Sequence, residues 1–128
     1  MTKIKRNKII YWIATGLLCS GMLGSGIAQI IRAKEMVGII THLGYPLYMM
    51  TILGIWKMLA IIAILMPGFK LIKEWAYAGL FFTLTGALIS HLVMGDTGKA
   101  IAGPVMQTIF IILSWYFRPA SRKITPVN

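Results

Sequence analysis

The chain has 128 residues, 58% of them hydrophobic and only 12% charged, with 13 Lys and Arg against 3 Asp and Glu for a net charge of +10. One domain fits this length, and so little charge is too sparse to solvate the large surface of a small soluble domain. A mean hydropathy of +0.78 leaves no polar face for a nucleic-acid groove. The single cysteine, Cys19, excludes an intramolecular disulfide, a CxxC redox pair and a cysteine zinc site.

Four apolar runs approach the ~20 residues that cross a bilayer as helix. The first covers about residues 9–31 and holds no charge. Basic residues precede it and small residues come late in it at Gly24-Ser25-Gly26, as in a signal peptide, but the run is longer than an h-region. We expect it to be retained. Within it Gly16, Ser20, Gly24 and Ala28 recur at four-residue spacing. Such a stripe lets membrane helices approach closely, in a tight bundle or a dimer.

Residues 32–46 form the longest connection, polar first and then apolar. They are too short and too charged to span, and the spacing of Met36, Val37, Ile39, Ile40 and Leu43 predicts a short helix lying in the interface. The second run, 47–66, ends at Pro67-Gly68 and carries Lys57 at its centre. The third, 75–94, carries His91, with Asp96 just beyond. These two meet only if the helix ends near Gly95. The fourth, 100–117, has Pro104 in its first turn, where a missing N–H costs little. The expected fold is all-α: a polytopic membrane four-helix bundle with a short interfacial helix between the first and second spans.

Nine of the thirteen cations fall in the N-terminal tail, the second connection (Lys70, Lys73) and the C-terminal tail (Arg118, Arg122, Lys123). Three lie on the other side, at Arg32, Lys34 and Lys99. The positive-inside rule then places both termini in the cytoplasm of a multi-pass protein of the plasma (inner) membrane. Trp12, Tyr11, Trp75, Tyr77, Trp115 and Tyr116 fall near the inner boundary and Tyr45 and Tyr48 near the outer, as aromatic belts do.

Lys57 carries the most information, because a mid-bilayer lysine costs roughly 2.5–3.5 kcal/mol on insertion scales. Met50, Gly54, Ala60 and Ile61 share its face; the small ones suggest a face turned into the bundle. Counting from the outer boundary at ~1.5 Å per residue puts Gln29 ~3 Å deep, His91 ~6 Å, Gln107 ~10 Å and Lys57 ~15 Å. Each helix so contributes one strongly polar side chain to the outer half. Glu35, Thr41 and His42 are expected over the mouth, and the inner half is expected to be apolar. The pattern predicts an outward-facing polar pocket with ligand candidates Lys57, His91, Gln107, Gln29, Asp96, Glu35 and His42. No metal set is expected. His91 and Asp96 as an acid–base pair would be the chemistry of an enzyme, yet no nucleophile–base spacing or cofactor motif accompanies them. An isolated chain is therefore expected to act by binding rather than by catalysis.

Several phrases in this order resemble the DoxX-like family of small four-helix membrane proteins. They are S-G-I-A-Q-I (residues 25–30), L-G-Y-P (43–46), L-G-I-W-K-M-L (53–59), P-G-F-K-L-I-K-E-W-A-Y-A-G (67–79) and G-A-L-I-S-H-L-V-M-G-D (86–96). Where members commonly carry a basic residue, this chain has Gln29. The resemblance implies the four-helix architecture and makes quinone the ligand to consider. It also implies a partner subunit of a membrane redox enzyme. The lipid bilayer is the expected partner, with a second copy of the chain or a redox subunit beside it and no nucleic acid. The other functions weighed are a small transporter, which lacks an intramembrane carboxylate here, and a purely structural membrane subunit.

Overall fold

The computed structural model of the protein describes residues 2–122, and Lys123 of the C-terminal tail lies outside them. The apolar runs fold as α1 (Lys3–Ile30), α2 (Lys34–His42), α3 (Tyr48–Leu65), α4 (Lys70–Val93) and α5 (Lys99–Tyr116), followed by a 3-10 turn at Ala120–Arg122. Among the described residues there is no strand. The long helices contact in a closed cycle, α1 with α3, α3 with α4, α4 with α5 and α5 with α1, while α2 leans on α1.

Four cations in the first two turns of α1 oppose the helix dipole. What holds α1 is the face Tyr11, Ala14, Leu18, Met22 and Gly26, buried at helical spacing. Leu18, Met22, Ile64, Leu80, Leu84 and Ile111 close the apolar core between the helices. The outer surface is inverted relative to a soluble protein: Ile13, Leu59, Phe82, Ile89 and Tyr116 are all exposed, as residues are that a bilayer covers. Three helices, α1, α3 and α4, are long and apolar enough to cross a membrane. α5 matches α3 in length but is diluted by Lys99, Pro104, Gln107 and Ser114.

The structure corrects several expectations. The stripe Gly16, Ser20 and Gly24 does not pack the bundle: all three are exposed, and Ala28 is half-buried. Nothing lies within 4 Å of where a Cβ on Gly16 or Gly24 would be. The buried face lies about half a turn from the stripe, because Leu18 and Met22 carry more apolar area than glycine can. Close approach falls instead to Gly26 and Gly54, where α1 and α3 cross. Tyr11 and Tyr77 are core residues rather than members of a belt. The inner half is not wholly apolar: Thr15 Oγ1 and Ser114 Oγ lie 2.6 Å apart and Tyr77 Oη lies 2.7 Å from the same Ser114 oxygen. A buried hydroxyl must find a partner, and these three find one another. α4 starts five residues earlier than expected, which takes Lys73 from a loop into a helix, where it is buried. Pro104 stands in the second turn of α5, not the first, and so deprives the Ala100 carbonyl of its i+4 donor.

Three helices ending at the same end of the bundle stop in one way. After α1, α2 and α4 the chain turns through a positive φ at Arg32, Gly44 and Gly95, with the paired backbone bonds of a Schellman motif. Glycine takes this conformation freely, whereas a side chain at Arg32 (φ 54°) pays roughly 1 kcal/mol. Arg32→Gly is therefore expected to raise the unfolding midpoint in detergent, and Gly44→Ala to lower it.

Candidate functional site

α1, α3, α4 and α5 part toward the end capped by α2, leaving a cavity of about 570 Å³. Its walls are mostly apolar, formed by residues such as Met36, Ile39, Leu43, Met49, Leu53 and Leu84. Into it the structure brings four of the sequence candidates, one per long helix: Gln29, Lys57, His91 and Gln107.

Each is held by local geometry. Lys57 shares a buried face of α3 with Met50, Gly54 and Ile64, and its Nζ donates to Ser25 Oγ at 3.2 Å. Ser25 in turn donates to the Met22 carbonyl at 3.4 Å. One neutral hydroxyl leaves the ammonium with two further donors. Gln107 lies against α1 because residue 21 is glycine: a Cβ there would sit 1.9 Å from Gln107 Nε2. The side-chain oxygens of Gln29 and Gln107 are both buried without a hydrogen-bond partner among the described residues. Such orphans are rare in folded proteins, because each forfeits ~1–3 kcal/mol of solvation.

His91 and Asp96 meet, five residues apart, because α4 ends where it must for them to do so. With Gly95 at φ +77° the chain folds back, and Asp96 N–H donates to the His91 carbonyl at 2.9 Å. The same fold-back sets His91 Nδ1 2.8 Å from Asp96 Oδ2. From α2, His42 Nε2 approaches both carboxylate oxygens, at 2.9 and 3.0 Å. Hydrogen bonds from His91 first and His42 second hold the Asp96 carboxyl below its usual range. Asp96 and His42 stand outside the cavity wall. Glu35 is exposed in the first turn of α2 and joins neither wall nor cluster.

Sequence reasoning passes over four polar wall residues, Thr83 among them, and gives the other three a different role. Ser25 reads as one of the small residues of a signal-peptide-like end, Tyr45 as a member of an aromatic belt and Lys99 as a topology charge. All three line the cavity, and Tyr45 Oη lies 2.6 Å from Ser90 Oγ, tying the α2–α3 connection to α4. No signal in a single sequence separates a belt tyrosine from a wall tyrosine. Among the described residues no group of three or more His, Cys, Asp or Glu side chains is placed to hold a metal ion.

Apolar helices with a lipid-like exterior around a mostly apolar cavity that holds a few polar side chains define an integral membrane protein with a small-molecule-sized chamber. A family model, the DoxX-like family, matches residues 13–116, and the chain belongs to that family. No match was found among curated proteins or among solved structures.

Proposed function

We propose that this DoxX-like protein binds a small lipophilic, partly polar molecule in the cavity, a quinone being the best-fitting class. In this reading four helices cross the inner membrane, α2 lies in the outer interface and both termini are cytoplasmic. The chain serves a membrane redox system as a binding or accessory subunit. The observation that carries the reading is the pair of orphaned amide oxygens, Gln29 and Gln107, beside an under-used ammonium, Lys57, in a mostly apolar chamber. A protein stores that cost where a ligand offsets it. A quinone carbonyl accepts from Lys57, and the hydroxyls of its reduced form donate to the glutamines. The chamber lies within the ~300–1,000 Å³ common for small-molecule sites. The outward face of Gly16, Ser20 and Gly24 favours a second reading, in which α1 packs against another membrane subunit through that stripe.

Lys57→Met keeps the stem and removes the donor. In detergent the wild-type chain is expected to gain ~2.7 kcal/mol from a short-chain benzoquinone at a hundredfold excess over Kd. The variant is expected to fold and to gain nothing. Equal thermal shifts in the two proteins would sink the reading.

A further inference from the structure

We infer that His42, Asp96 and His91 form a proton-exchange chain linking the cavity to water, and that the cavity's ligand therefore carries an ionisable hydroxyl, as a quinol or another lipophilic phenol does. This rests on the binding reading above and adds to it the ligand's proton chemistry and its route.

The chain is continuous and graded in exposure. The His42 side chain is half exposed, Asp96 is one-fifth exposed and His91 nearly buried at the wall. Its links are 2.9 Å and 2.8 Å, both within ordinary hydrogen-bond length. An ionised carboxylate only accepts, so His91 presents Nδ1–H to Asp96, and Nε2 is left as a free acceptor for a group in the chamber. The carboxylate thus fixes the tautomer a base requires. Three elements supply the parts: α2, the α4 C-terminus and the fold-back at Gly95. A structural ion pair would need only two of them, and would not need a member on the cavity wall.

In one passage the ligand hydroxyl gives its proton to His91 Nε2, and the Nδ1 proton moves to Asp96 Oδ2. Once Asp96 is protonated, half-exposed His42 shifts its ring proton from Nε2 to Nδ1 through water, accepts the carboxyl proton at Nε2 and releases the Nδ1 proton to water. One proton leaves the ligand and one reaches water; no electrons move. The ligand anion so formed faces Lys57. The remaining ionisable groups on the wall are Lys57 of α3, Lys99 of α5 and Tyr45, whose hydroxyl is engaged by Ser90. α1 contributes only the neutral Ser25 and Gln29. No other wall residue is a base that also reaches a carboxylate.

The test uses the full chain in lipid nanodiscs and an alkyl-substituted 4-nitrophenol, whose colour reports its own ionisation. Its dissociation rate is measured separately by competition. After a jump from about pH 5.5 to about pH 7.5, the range in which imidazole trades protons, the wild-type colour change should outrun dissociation. His42→Gln should bind the probe with unchanged Kd, and both it and Asp96→Asn should change colour about tenfold or more slowly. Equal rates in all three proteins overturn the chain. Slowing in Asp96→Asn alone also overturns it, leaving Asp96 a positioning residue for His91. A wild-type protein that binds neither the probe nor a short-chain benzoquinone overturns the binding reading and the chain with it.

Discussion

Gly54→Ala is expected to cost ~2–3 kcal/mol, as large as a poorly tolerated overpacking mutation in a soluble core. A Cβ at residue 54 would stand 2.8 Å from the Gly26 carbonyl oxygen and 3.2 Å from Ile30 N, both backbone, with Ile30 Cγ1 at 2.6 Å. A side chain can rotate away, but the backbone of α1 yields only by moving the whole helix. Gly26→Ala lies on the same crossing and should cost less than half as much. Its nearest obstruction, at 2.4 Å, is the tip of Met58, which has other rotamers to occupy. Reversible unfolding in mixed micelles, followed by tryptophan fluorescence, measures both. A Gly54→Ala protein as stable as Gly26→Ala would mean that the helices are not in contact there. The consequence reaches the cavity, since pushing α3 off α1 separates Lys57 from Ser25.

The contrast between these glycines and the stripe shows where a sequence runs out. Gly16, Ser20, Gly24 and Ala28 make the more regular pattern, yet the first three face outward, and the contact falls to Gly26 and Gly54. Spacing identifies residues that share a face; it does not say which face meets a neighbour, because that depends on the bulk of every other face. In a bilayer the problem is harder, since lipid is as apolar as leucine and both sides of a helix read alike. Lys57, His91, Gln29 and Gln107 were legible for the opposite reason. A strongly polar side chain in an apolar run has few tolerable places, and a bundle interior is one. Their convergence on one chamber could be counted from depth alone. The His42–Asp96 link could not, because it joins a residue of one connection to one of another. The Gly95 fold-back that makes Asp96 reach His91 was visible only as a condition.

Lys73 and Arg122 were read from sequence as charges that fix topology, and the structure gives them a second task, with the largest stability effect expected of any charged residue here. α3 runs into Pro67, which has no N–H, so the Ala63 carbonyl cannot make its i+4 bond. Every helix leaves its last carbonyls orphaned, and here two basic side chains reach them. Lys73 Nζ donates to the carbonyls of Ala63 and Met66. Arg122, reaching back from the 3-10 turn, donates to Ile64 at 2.8 Å and to Leu65 at 3.3 Å. Two cations therefore satisfy four successive carbonyls at the negative end of the helix dipole. Lys73→Met preserves bulk and removes the donor, so it should cost ~2–3 kcal/mol, the range for a buried charge-assisted hydrogen bond. Arg122→Met should cost less, ~1–2 kcal/mol, because its partners are closer to solvent. The two side chains share the Met66 carbonyl, to which Arg122 also donates at 3.4 Å. The double variant should therefore depart from the sum of the singles by ~0.5 kcal/mol or more. Additive losses would show that the two cations act independently. A Lys73→Met protein as stable as wild type would show that these carbonyls do not depend on a donor from α4.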